Sequence, residues 1–191
     1  MLNKFGFEKS RKIENKSENQ QKLETARKEV EKMVDKLGLG VDENIKEVVA
    51  IFRAMGFPTE SSCGGHTGEN GKNDYGFPYI RVYAPAPEGW SKDKRNLELD
   101  EEWQEENLKY RNLITPLLEE FERERKDKRE LILQIRDVGR FGAFDLNCKI
   151  EKQELKQINT EKELIEVIRN CQNEMNLFTN FLKDKFLDST N

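Results

Sequence analysis

With 191 residues, 37% of them charged against about 25% in an average soluble domain and only 35% hydrophobic, the chain suits one domain with long solvated helices better than a wide apolar interior. Its 33 basic and 37 acidic side chains are mixed along the sequence and leave a net charge of −4, which excludes a uniformly basic face and so duplex nucleic acid as the default partner. No apolar run approaches the roughly 18 residues of a membrane span, and three Cys without a pairing pattern suit a reducing compartment; no membrane partner and a cytoplasmic location are expected.

Residues 1–17 are mostly polar and aperiodic, with Phe5 and Phe7 as their aromatic groups. They lack the apolar stretch and cleavage site of a signal peptide and read as a flexible N-terminal arm. Residues 18–191 read as a single α+β domain. Leu23, Ala26, Val30, Met33, Val34 and Leu37 recur at spacings of three and four, predicting a one-sided helix from about Ser17 to Leu37. Gly38 and Gly40 end it, and Asp42 has the chemistry of an N-cap for a second helix. That helix turns Ile45, Val48, Val49, Phe52 and Met55 inward. Gly56, Phe57 and Pro58 then write a stop: a left-handed cap, an apolar contact and a residue that cannot continue the helix.

A third helix is predicted from Leu99 to about Lys126, with Trp103, Tyr110, Leu113, Ile114, Leu117, Leu118 and Phe121 on one side. Pro116 inside it predicts a kink or break near Asn112 to Thr115. Leu131–Arg136 and Phe141–Ile150, joined by a turn at Gly139, read as an antiparallel hairpin. Thr160 and Glu163 form a capping box that opens a last helix striped by Leu164, Ile168, Cys171, Met175, Phe178, Leu182 and Phe186. Helices and short strands without βαβ alternation predict an α+β fold, a small mainly antiparallel sheet of about four strands packed with about four helices.

The segment from Phe57 to Trp90 differs from the rest. It holds the only His (His66), Cys63 and four of the five Pro, and it places Gly64, Gly65, Gly68, Gly71 and Gly76 within thirteen residues. Glycine at that density permits positive φ and lets backbone amides approach a ligand closely. Neither GxGxxG nor GxxxxGK[ST] is present. By period two, Tyr79, Arg81 and Tyr83 share one strand face, and Ile80 and Val82 share the core face.

Three chemistries compete for this segment. Cys63 is a candidate nucleophile with His66 as its base. Cys63 and His66 are also half of a metal site, but Cys171 lies on an apolar stripe and Cys148 ends a strand, so a closed zinc site lacks ligands. A weaker site would need Glu69 or Asp74. In the third reading Ser61, Ser62 and the amides of Gly64 and Gly65 donate to a small anionic molecule, with His66 as a switchable donor. Arg81 then supplies a fork for phosphate or carboxylate, and Tyr79, Tyr83 and Trp90 a flat wall. Arg136 and Arg140 would add charge if the hairpin packs beside this strand.

The run DENIKEVVAIFRAMGFPTESSCGGH, followed by FPYIRVYAP and later by FGAFDLNC and EMNLFTNFLKDKF, resembles a group of small uncharacterised bacterial and phage-type proteins that share an S-C-E-G-H motif. The likeness covers roughly residues 35–187. It implies a shared fold and a site around Ser62, Cys63 and His66, and no activity. Gly64 stands where that group has Glu. A shorter likeness, confined to TESSCGG, is to the T-x-S-S-C-S-G segment of the tRNA wybutosine-synthesis methyltransferase family, with His66 where that family has Arg.

The expected function is therefore binding of a small anionic or nucleotide-like ligand by residues 59–90, without a cofactor, in the sense of sequestering a nucleotide signal. The alternatives are a hydrolase or transferase that uses Cys63 and His66, and a protein-protein interaction module.

Overall fold

The computed structural model describes residues 17–34, 38–68, 75–94, 96–125, 131–150 and 152–189. Residues 1–16 of the expected N-terminal arm, positions 35–37, and Glu69 and Asp74 lie outside them; the first helix itself ends at Val30, short of the predicted Leu37. In chain order the elements are α1 (Glu18–Val30), a single 3-10 turn (Glu43–Ile45), α2 (Lys46–Ala54), β1 (Thr59–Cys63), β2 (His66–Thr67), β3 (Tyr75–Gly76), β4 (Tyr79–Val82), α3 (Leu97–Glu124), β5 (Ile132–Asp137), β6 (Phe144–Lys149), α4 (Lys152–Gln157) and α5 (Glu161–Asp188). Four strands form an antiparallel sheet in the order β1-β4-β6-β5, and β2 and β3 make a separate two-stranded ribbon. The α+β class and its antiparallel sheet are as the patterns predict.

Alternation decides which face is inside. Ile80 and Val82 lie opposite Leu146 and Phe144 across β4 and β6, and all four are fully buried. They join side chains of α1, α2, α3 and α5 in one apolar cluster. Helix α2 is the central helix: Val48 to Phe52 are five consecutive buried residues, so Ala50 and Ile51 are core as well as the predicted stripe. Its stop is as written. Gly56 has φ +88°, and the Phe57 amide returns to the Phe52 carbonyl at 2.9 Å. The capping box of α5 is also present, Thr160 with Glu163.

Several local expectations are corrected, among them the start of the second hairpin strand, which is Phe144 and not Phe141. Asp42 precedes the 3-10 turn but makes no side-chain cap bond; its carboxylate goes elsewhere, as described below. Of the kink or break expected near Pro116, no break occurs: helix α3 runs continuously through it, and Ile114, Leu118 and Phe121 on either side are buried. Their burial is worth roughly 1.5–3 kcal/mol each, more in sum than the roughly 3 kcal/mol of an interior proline. Leu113, predicted to face inward, is 58% exposed, whereas Asn107 is fully buried.

Candidate functional site

Strand β1 delivers Cys63 to a tight glycine corner before the β2–β3 ribbon. Gly65 has φ +85°, and a Cβ on it would meet Gln172 Nε2 at 3.1 Å and Pro78 Cδ at 3.2 Å. A Cβ on Gly64 would lie 3.0 Å from the Cβ of Asp42, and one on Gly76 would lie 3.2 Å from the His66 ring and 3.6 Å from Cys63 Sγ. Close approach is thus what these glycines are for. The corner is clamped from outside: Gln172 Nε2 on α5 donates to the carbonyls of Gly64 (2.8 Å) and Gly65 (3.2 Å).

The two corner amides, expected as donors to a ligand, are committed within the chain. The Gly64 N–H donates to Asp42 Oδ2 at 2.8 Å, and the Gly65 N–H to Cys63 Sγ at 3.4 Å. The carboxylate beside Cys63 is accordingly that of Asp42, brought from 22 residues upstream to the very position where Gly64 has no side chain. His66 Nε2 stands 3.8 Å from Asp42 Oδ2, with the two side chains 45% and 39% exposed. One donor atom from each of Asp42, Cys63 and His66 lies within 4.8 Å of the other two. Ser61 and Ser62 do not join them; they line a smaller cavity of 190 Å³ with Met33, Val34 and Val49.

Farther along β4, Arg81 meets a partner that nothing local in the sequence announces. Asp145, fully buried on β6, accepts from Arg81 Nε at 2.7 Å and Nη2 at 3.1 Å, and from Arg136 Nη2 at 2.9 Å. The hydrogen bond to Asp145 holds the Arg81 guanidinium above its ordinary pKa, and its fork is occupied by a protein carboxylate. Arg81 also lies 5.7 Å from the Tyr79 ring.

At the far end of β4 the remaining predicted residues enter an aromatic stack. Trp103 of α3 lies between Tyr83 at 4.8 Å and Phe141 at 4.6 Å, with Trp90 edge-on to both Trp103 and Phe141. Burial pushes the Tyr83 hydroxyl pKa upward. Trp90 Nε1 donates to Asp100 Oδ1 at 2.9 Å. Trp103 Nε1 donates to the Ala84 carbonyl at 2.7 Å, while Asn107 Oδ1 accepts from the Ala84 amide at 2.8 Å. Phe141 adopts φ +59°, a left-handed conformation that costs a bulky residue about 1–2 kcal/mol. Beside the stack opens a cavity of 560 Å³ walled by Trp90 and Phe141 and rimmed by Lys92, Arg140, Glu101 and Gln104. The side chains of Lys92 and Arg140 have no ion-pair or hydrogen-bond partner among the described residues.

The residues expected in one pocket therefore occupy three stations along β4: Cys63, His66, Gly64, Gly65 and Tyr79 (the register partner of Cys63) at its start, Arg81 in its middle, Tyr83 and Trp90 at its end, while Ser61 and Ser62 line the smaller cavity. From Tyr79 to Tyr83 the strand rises about 13 Å. Asp42, Asp145, Phe141 and Gln172 were not among the predicted site residues. Three of them are placed by contacts from distant parts of the chain, and Phe141 by a turn whose only local cue was the flanking Gly139 and Gly142. No family model, no curated protein and no solved structure matches the chain.

Proposed function

We propose that the protein binds a small anionic molecule with a flat ring system, nucleotide-like in its chemistry, in the cavity between Trp90 and Phe141. The observation that carries this reading is the pairing of two aromatic walls with two cations, Lys92 and Arg140, that lack partners among the described residues, around 560 Å³ of space. That volume falls in the roughly 300–1,000 Å³ range of small-molecule sites. A ring stacks on the aromatic faces, the cations receive phosphate or carboxylate, and Gln104 and Glu101 offer polar edges to a base. Binding without turnover makes the protein a sequestering one.

The test is calorimetry and thermal shift with mono-, di-, tri- and cyclic nucleotides on wild type, Arg140→Ala and Trp90→Ala. A ligand that raises the melting temperature of wild type and binds at least tenfold more weakly to both variants supports the reading. No stabilising ligand, or equal binding by all three proteins, refutes it. A second reading, turnover by Cys63 and His66, draws on the Gly65 amide aimed at Cys63 Sγ, a bond that favours thiolate. It predicts products from the same nucleotides that vanish in Cys63→Ala.

A further inference from the structure

At the other end of β4, two polar groups face each other across an unusual gap. His66 Nε2 and Asp42 Oδ2 are 3.8 Å apart, too far for a hydrogen bond. Two ligands bound to one zinc ion at its usual bond lengths of about 2.0–2.3 Å sit roughly 3.4–3.6 Å apart in a tetrahedron. The Asp42, Cys63 and His66 donor atoms, all within 4.8 Å of one another, need only small rotations of half-exposed side chains to reach that spacing. We infer that Asp42, Cys63 and His66 form a binding site for a zinc-like divalent cation.

Thiolate, imidazole and carboxylate together select a borderline-soft ion over magnesium or calcium. Three protein ligands and a solvent-open side leave a fourth position for water, the pattern of open rather than closed zinc sites. Outer contacts that orient metal ligands are in place as well. The Gly64 amide fixes the Asp42 carboxylate, the Gly65 amide points at the sulfur, and Gln172 holds the carbonyls of both glycines. Asp42 is available for this because it caps no helix. Cys148 and Cys171, 5% and 0% exposed, take no part.

The experiment strips the full chain with a chelator and then adds zinc or cobalt(II). Expected are one zinc per chain, a near-ultraviolet thiolate-to-cobalt charge-transfer band, and at least tenfold slower alkylation of Cys63 in the presence of zinc. The buried Cys148 and Cys171 serve as internal controls in the mass-spectrometric readout. Cys63→Ser removes the band. His66→Gln and Asp42→Asn each weaken zinc binding at least tenfold. The side-chain amide introduced by Asp42→Asn keeps an acceptor oxygen for the Gly64 N–H, so that variant preserves the corner's fold. Alkylation unaffected by zinc in wild type overturns the inference, as does zinc affinity unchanged in both His66→Gln and Asp42→Asn. Rapid alkylation of Cys63 without metal dependence favours the nucleophile reading instead. Nucleotide binding at the Trp90 cavity is expected to persist in Cys63→Ser, so either proposal can fail alone.

Discussion

Phe141 shows how a single residue can serve a site at the expense of its own backbone. Its φ of +59° places its ring against Trp103 at 4.6 Å and on the cavity wall. Phe141→Gly relieves about 1–2 kcal/mol of strain but loses about 1–2 kcal/mol of burial for a partly buried ring, an aromatic contact worth about 0.5–1.5 kcal/mol beyond that area, and about 0.5–1 kcal/mol through added chain entropy in the unfolded state. Stability by urea unfolding is expected to fall by about 1–3 kcal/mol, while affinity for any cavity ligand falls at least tenfold. Asp145 gives the opposite case. Removing this buried carboxylate leaves Arg81 and Arg136 facing each other, and Asp145→Ala is expected to lower the unfolding free energy by about 3 kcal/mol. Arg81→Ala leaves Arg136 still bonded to Asp145, so its loss is smaller, and a loss of binding in it reports on the sheet rather than on ligand contact. Period two placed Arg81 on the outer face correctly. Its partner was illegible, because the β4–β6 pairing that sets Arg81 against Asp145 joins residues 64 positions apart.

At the scale of elements, signals confined to one turn of chain were readable. The Gly56 stop and the Thr160 capping box both appear as written, since each is closed by atoms within five residues. Asp42 had the same local credentials and failed, because the Gly64 amide offers its carboxylate a better-placed donor from β1's far end. Helix α3 carries a further long-range device. Trp103 and Asn107, one turn apart, take the Ala84 carbonyl and amide as a neighbouring strand would, holding the exit of β4 against the helix. Asn107→Leu leaves a buried N–H without an acceptor, a loss of about 1–3 kcal/mol. Hydrogen exchange should then show the Ala84 amide losing protection while the β5–β6 ladder keeps its own; equal loss across the sheet would mean that Asn107 supports general packing instead.

Across the whole molecule, the fold class was legible because hydrophobic periodicity reports which face of each element is covered. The site was not, because periodicity says nothing of which elements become neighbours. One segment, 57–90, looked like one site, yet it folds into β1, the β2–β3 ribbon and β4 and spreads its candidate side chains over three stations along β4. What assembles each station comes from α5, β6, α3 and the approach to α2. The helical layer is tied by charge in the same distributed way. Glu47 of α2 accepts from Arg27 Nε of α1 at 2.8 Å and pairs with Lys183 of α5 at 3.5 Å. The Arg27 hydrogen bond holds the Glu47 carboxyl below its ordinary pKa of 4.5. A carboxylate with a depressed folded-state pKa adds stability that is fully present above its unfolded value and is lost as pH falls through the folded one. Both side chains are about two-fifths exposed, which keeps the contribution under about 1 kcal/mol. Glu47→Gln is therefore expected to be slightly less stable than wild type at pH 7. The gap in urea midpoint should stay constant down to about pH 5 and close below about pH 4.5, where the wild-type carboxylate protonates and the two proteins become alike. A gap that persists unchanged into acid would assign the loss to packing of the side chain, and the ion pairs would then contribute nothing to holding α1, α2 and α5 together.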